Sequence, residues 1–278
     1  MEIKNKIFDE ERAFYASKHL IIKKCKIDGP RDGESAFKEC EDIVVNSTYL
    51  NLRYPFWHDH CVKIKQSDMT ENCRAALWYS DHIHISNTNL HGIKAVRECD
   101  NVILNSCDID SSEFGWMSRN VLIKDTKVIS EYFMMRSSNI QLDKVDFKGK
   151  YSFQYVKNGR INHCNFDTKD AFWHAEDIWV TDSVLKGEYL GWYSKNLVLE
   201  NCTIIGTQPF CYCEGLRLVN CKMIDTDLAF EKSDVNATIT TPVLSIKNPY
   251  SGTIVVPELE ELIIDDPLAK GEIVYDTI

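Results

Sequence analysis

Apolar and polar residues alternate along this chain in short runs that return at a fixed interval. Asn101-Val-Ile-Leu-Asn-Ser-Cys107-Asp-Ile109 is answered by Asn120-Val-Leu-Ile-Lys-Asp-Thr126-Lys-Val128 and later by Asn196-Leu-Val-Leu-Glu-Asn-Cys202-Thr-Ile204. The first apolar residue of each phrase serves as a marker: Ile83, Val102, Val121, Ile140, Gly159, Ile178, Leu197, Leu216 and Val235, nineteen residues apart with no insertion. A period of this length marks a repeat architecture, in which each coil buries its apolar face only against its neighbours. One repeat domain over 1–278 is therefore predicted, with 1–19 an N-terminal cap or partial coil, 20–241 the repeat coils and 242–278 C-terminal capping strands.

Each coil reads as three short strands. The marker phrase alternates with the period of a half-buried strand, breaks at a polar pair such as Asn201-Cys202, and resumes at Ile204. The residue before the marker is Asn101, Asn120, Asn139, Asn158, Asp177, Asn196, Gly215 or Asp234. That set suits a left-handed backbone position and predicts a sharp turn there. The third strand is aromatic, as in Pro55-Phe-Trp-His58, Ala76-Leu-Trp-Tyr79, Ala171-Phe-Trp-His174 and Tyr189-Leu-Gly-Trp-Tyr193. Earlier markers, Leu20, Ile43 and Val62, are separated by surplus residues at Asp28-Gly-Pro-Arg-Asp-Gly33 and Thr70-Glu-Asn-Cys-Arg74. Both surpluses follow the second strand of a coil, so both should project from the same side and the same end.

The pattern predicts an all-β, single-stranded, right-handed parallel β-helix of about twelve coils. A leucine-rich-repeat-like solenoid is the alternative, because Leu197-Val-Leu-Glu-Asn-Cys202-Thr-Ile204 fits its core phrase. That fold also wants Leu three residues before the marker, where this chain has Asp59, Ser80, Cys99, Ser118, Ser137, Val156, Ala175, Ser194 and Cys213. Small residues there suit a tight β-coil.

These coils, the recurrent Phe-Trp-His and Leu-Trp-Tyr strands and the late Ile246-Lys-Asn-Pro-Tyr-Ser-Gly252 together resemble the DUF3737 family of mostly bacterial proteins. The resemblance covers essentially the whole chain. It implies a pectin-lyase-like β-helix and brings no catalytic residues with it.

Hydrophobic residues make up 44% and charged residues 27%, which places the chain among globular rather than disordered proteins. A net charge of −10 excludes general nucleic-acid binding, since no basic stripe is available to neutralise phosphates. Met1-Glu-Ile-Lys-Asn-Lys-Ile-Phe-Asp-Glu10 is too charged for a secretory signal, and no apolar run approaches a membrane span. A cytoplasmic protein with no membrane partner is the expectation, with oligomeric state left open. Of the eleven cysteines, Cys25, Cys107, Cys164, Cys202 and Cys221 share one place in the repeat with Thr48, Ser67, Thr88, Thr126 and Ser183. A column that accepts Cys, Ser and Thr selects small size, so these read as reduced interior thiols. Cys211-Tyr-Cys213 lacks the spacing of a zinc or thioredoxin motif. No Walker, Rossmann or Ser-nucleophile motif is present, and no cofactor is expected.

Candidate chemistry gathers on the aromatic strand. Trp57, Trp78, Trp116, Trp173 and Trp192 lie five residues before the marker, in a column that also holds Lys38, Arg97 and Gln154. Burying those groups unpaired would cost several kcal/mol, so the column is turned outward. Its uncharged neighbour, Phe37, Phe56, Leu77, Val96, Met134, Phe153, Phe172 and Phe210, is turned inward. Next come His58, Tyr79, Glu98, Met117, Arg136, Tyr155, His174, Tyr193 and Tyr212, with Tyr54, Tyr132, Tyr151 and Tyr189 eight residues before the marker. Three outward columns would make an aromatic surface suited to stacking on sugar rings or to docking a protein partner. The residues expected to bind such a ligand are Trp57, Trp78, Tyr79, Trp116, Tyr155, Trp173, Trp192, Tyr193 and Tyr212. The plain alternative is that the tryptophans pack the core.

An enzyme on the same face, a polysaccharide lyase or glycoside hydrolase, is the second reading, with His58, Arg136 and His174 as catalytic candidates. Asp170, Glu188 and Glu113 are the carboxylates that hydrolysis could draw on. A dense Asp cluster for calcium is missing from the sequence. His60, Asp81 and His82 fall on neighbouring coils as candidate metal ligands. No metal is expected, because strand alternation sends successive residues to opposite faces.

Overall fold

The computed structural model describes residues 1–29, 31 and 33–276. Pro30 and Asp32 of the first surplus segment, and Thr277 and Ile278 of the expected C-terminal cap, lie outside the described residues. Among the described residues strands account for all regular structure, every inter-strand pairing is parallel, and no helix is long and apolar enough to cross a membrane. The chain divides into two compact units, Met1–Gln141 and Leu142–Ile278.

In the first unit the markers are partners in one parallel ladder: Leu20 pairs Ile43, then Val62, Ile83, Val102 and Val121. All six are fully buried, so each coil's first strand seals its predecessor. The short second strands follow the same order, from Lys26–Asp28 through Tyr49–Asn51 to Asp108–Asp110. The aromatic third strands pair Phe56 with Leu77 and Leu77 with Val96. In the second unit Gly159, Ile178 and Leu197 are in register, as are Leu216 and Val235. The expected third strand forms only at Phe56–Trp57, Leu77–Trp78 and Val96–Arg97; in the other coils that segment is a run of turns, and leucine-rich-repeat geometry does not arise because no described coil turns helical there.

The interior is layered by coil. Phe14, Phe37 and Phe56 stack at 4.9 and 4.8 Å in the first unit, and Phe153 on Phe172 at 4.8 Å in the second. The Cys/Ser/Thr column does more than save space. The backbone N–H groups of Thr48, Ser67 and Cys164 donate to the hydroxyls of Ser67, Thr88 and Ser183 on the next coil. Those hydroxyls in turn donate to carbonyls two residues back, as Ser67 does to Lys65. Turn groups buried away from water are thereby satisfied. All cysteines are free, and burial pushes the Cys40 and Cys99 thiols up to about 12.

Asn101, Asn120, Asp177 and Asn196 adopt φ of 54°, 54°, 57° and 51°, the left-handed turn expected before the marker. Further left-handed positions were not anticipated, and one of them shapes the outer face. It falls four residues before the marker, at His58, Tyr79, Glu98, Met117, Tyr155, His174, Tyr193 and Tyr212. Such a conformation costs a non-glycine residue about 1–2 kcal/mol, and it breaks the alternation of the third strand. Phe56 points in, Trp57 and His58 both point out, and Asp59 points in again.

Both surplus segments lie at one end of the second strands, tied through Asn51: its amide donates to Asp28 Oδ1, and its Oδ1 accepts from Thr70 and Asn72. The termini are coiled as well. Glu2–Lys4 and Ile7–Phe8 pair in parallel with Lys18–Lys23 and Lys26–Asp28, so the N-terminus is already coil. At the other end, Ala237 pairs Ile254 and Ile254 pairs Ile273, so the expected cap continues the solenoid. These additions bring the total to about 14 turns, against the twelve or so read from the repeat.

Candidate ligand-binding face

In the first unit the outward columns form two ladders. Along one, Lys38 Nζ lies 4.3 Å over the Trp57 ring, and Trp57 stacks on Trp78 at 5.5 Å and 11°. The Arg97 guanidinium then sits 5.8 Å from Trp78 and 5.9 Å from Trp116. The charges in this column are there because they cover ring faces, a favourable cation–π arrangement. Along the other ladder His58 stacks on Tyr79 at 5.1 Å. The Tyr79 hydroxyl bonds to Glu98, which raises its pKa, and Glu98 is held by Arg97 at 2.9 Å.

In the second unit Trp173 stacks on Trp192 at 5.5 Å and 6°. Beside them runs a ladder of four rings: Tyr155 on His174 at 4.9 Å, His174 on Tyr193 at 5.0 Å, and Tyr193 on Tyr212 at 4.8 Å, all within 12° of parallel. Tyr155 and Tyr193 are each 42% exposed, whereas Tyr212 is half-buried and burial raises its phenol pKa. All five column tryptophans are half-buried. Trp116, Trp173 and Trp192 donate their ring N–H to the carbonyls of Tyr132, Tyr189 and Gln208. The ring nitrogens of Trp57 and Trp78 are buried with no hydrogen-bond partner among the described residues. Of the tyrosines eight residues before the marker, Tyr132 and Tyr189 pack edge to face on Trp116 and Trp192, at 6.3 and 5.4 Å, and Tyr54 lies tilted between Trp57 and Trp78.

This geometry alters how the surface could work. Rings stacked coil on coil spend their faces on one another, so flat stacking of a sugar on an indole is closed along the paired stretches. What the ladders offer solvent is a file of ring edges, tipped by phenol hydroxyls and imidazole nitrogens, one per coil. Among the catalytic candidates, His58 and His174 are rungs of these ladders, and Arg136 lies exposed in the same column. Glu188 pairs with Lys169 at 2.7 Å and Glu113 with Lys94 at 3.2 Å. Asp170 is buried, and burial raises its carboxyl pKa.

His60, Asp81 and His82 come together, with ligand atoms all within 4.8 Å of one another. Alternation fails to separate Asp81 from His82 because His82 occupies the left-handed turn, φ 53°. The sixth tryptophan, Trp179, stands apart from the column: it is exposed on Glu176–Thr181 with the Arg160 guanidinium 4.9 Å over its ring. No periodic signal marks it.

A family model described as "Protein of unknown function (DUF3737)" matches residues 1–274. The chain belongs to the DUF3737 family. No curated protein matches this DUF3737 chain. Solved structures similar to it include two of PfbA, a surface adhesin of Streptococcus pneumoniae, both 8% identical. One has a TM-score of 0.48 over 87% of this chain and 82% of that one. The other scores 0.47 over 98% and 91%. The A-module of the Azotobacter vinelandii mannuronan C-5 epimerase AlgE4 is 10% identical, with a TM-score of 0.30 over 81% and 75%.

Proposed function

We propose that this DUF3737 protein is a non-catalytic binding module that holds an extended, neutral polysaccharide along the edges of its outer aromatic ladder. The observation that carries this reading is the four-rung file Tyr155, His174, Tyr193 and Tyr212, repeated at 4.8 to 5.0 Å. A surface with a one-dimensional period matches a ligand with a period of its own, and the rise of about 4.8 Å per coil is close to one pyranose of an extended glycan. Phenol and imidazole tips supply donors and acceptors for sugar hydroxyls, while stacking fixes the rings beforehand and lowers the entropy cost of binding.

Charge narrows the class of ligand. The flanking ions neutralise one another, Lys169 with Glu188 and Lys195 with Glu214 at 2.9 Å, and a net charge of −10 disfavours acidic polymers. Affinity electrophoresis through gels cast with neutral polysaccharides tests the proposal. Retardation in at least one gel, lost in Tyr193→Ala, is expected. Unchanged migration in all of them would reject a glycan in favour of a protein ligand. Incubating a bound glycan should release no new reducing or unsaturated ends; their appearance would turn the module into an enzyme.

A further inference from the structure

We infer that His60, Asp81 and His82 form a binding site for one borderline divalent transition-metal ion of the zinc class, independent of the aromatic ladders. Both imidazoles aim Nδ1 at the same carboxylate oxygen, Asp81 Oδ1, with His82 at 2.8 Å. The two rings meet edge to face, 5.0 Å between centroids. An ion with ligands at about 2.0–2.2 Å in tetrahedral geometry needs donor atoms about 3.3 Å apart. Three atoms within 4.8 Å reach that spacing by small side-chain rotations.

The surrounding repeat shows that these residues depart from what the scaffold uses. Elsewhere in their column a long cation pairs with a carboxylate on the adjacent coil, Lys18 with Glu41 at 2.6 Å and Arg119 with Asp100 at 2.9 Å. At His60 the chain places an imidazole instead, and the turn position that holds Asn101 and Asn120 on later coils holds a second one, His82. His19 holds the same turn position on an earlier coil and pairs singly with Asp42 at 2.8 Å, whereas at Asp81 two histidines from consecutive coils converge on one carboxylate. Neutral nitrogen and carboxylate oxygen together are a donor set for zinc-like ions rather than for calcium or magnesium.

The site also opens onto space. His82 lines a groove of about 420 Å³ together with His84, Asn101, Ile103, Asn120 and Leu122. His60 and His82 are exposed and Asp81 is half-buried between them. Three protein donors leave a coordination position for water or a small ligand. Cys61, which follows His60, is the one cysteine among the described residues that is not buried, and it is the competitor any test must control.

Titration of chelator-treated full-length protein with Zn²⁺ by calorimetry, and with Co²⁺ by visible absorption, decides the matter. One ion per chain is expected, with the absorption of a low-coordinate cobalt centre. Asp81→Asn should weaken binding at least tenfold and His60→Ala/His82→Ala should abolish it, while Cys61→Ser binds as wild type. His60 and His82 are exposed and Asp81 and Cys61 only half-buried, so the variants should stay folded, which their melts check. The proposal is overturned if wild type takes up neither ion, if the double histidine variant binds as wild type does, or if only Cys61→Ser loses the ion.

Discussion

The Trp173 indole lies face to face with that of Trp192, 5.5 Å away and 6° from parallel, and donates its ring N–H to the Tyr189 carbonyl at 2.8 Å. A half-buried ring held by both a stack and a hydrogen bond is part of the scaffold as well as of the surface. Trp173→Ala should therefore cost about 2–3 kcal/mol, summing about 1 for the stack and about 1 for the hydrogen bond with some lost burial. Trp57→Ala should cost about 1 kcal/mol less, because the Trp57 N–H has no partner to lose. Urea melts of the two variants give the comparison. Equal losses would mean that the carbonyl contact contributes nothing.

Asp59 occupies a column otherwise filled by small uncharged residues, Ser80, Cys99 and Ser118 on the coils that follow it. Its Oδ1 accepts from the Cys40 N–H at 2.7 Å, but its Oδ2 is buried with no partner among the described residues. Asp59→Ser keeps a small acceptor and removes the orphan oxygen, so it should stabilise the first unit by about 1–3 kcal/mol. A lower Tm for the variant would show that the carboxyl is better satisfied than this geometry implies.

Asp170 gives stability a pH dependence of known sign. Burial raises its carboxyl above the ordinary 3.8, Lys169 opposes that shift and Glu188 adds to it. The folded chain therefore holds this proton more tightly than the unfolded chain. Its contribution is complete below pH 3.8 and is lost as pH rises through the folded value. Asp170→Asn, which copies the protonated form, should melt above wild type at neutral pH, with the difference shrinking as pH falls toward 3.8. A difference that does not change with pH would place the effect in the left-handed backbone at this position, φ 53°, instead.

Gly187 has φ of 149°, and a Cβ built there would lie 1.4 Å from the Thr168 carbonyl oxygen. The coils can approach so closely only without a side chain. Gly187→Ala should cost at least about 2 kcal/mol, visible as a large drop in Tm, and a neutral substitution would contradict the close approach.

The coil period and the turn before the marker were legible because both are written in residue type: apolar markers every nineteen positions, and Asn or Asp where a left-handed residue is needed. The left-handed position four residues before the marker was not legible, since Tyr, Met and Glu fill it alongside His and only His favours that conformation. That turn decides most of the site. It puts Trp192 and Tyr193 on the same outer side of one turn segment, where strand alternation would have parted them. The turn before the marker does the same for Asp81 and His82, although its Asn-rich column had advertised it. The last coils escaped notice because the step from Ala237 to Ile254 shortens to seventeen residues and the marker's Asn is gone. Ring orientation within the column depended on coil-to-coil stacking, which no single coil's sequence contains.

The central claim is that Tyr155, His174, Tyr193 and Tyr212 read a polymer rung by rung. Its most direct test is calorimetric affinity for a neutral oligosaccharide series of increasing length, drawn from whichever polysaccharide retards the protein. Affinity should climb with each added sugar until the four rungs are spanned and then level off, and Tyr193→Ala should flatten the climb at a temperature where circular dichroism shows the variant still folded, its Tm lowered by the loss of the His174 and Tyr212 stacks. Affinity that is independent of length, or undiminished in Tyr193→Ala, would contradict the account.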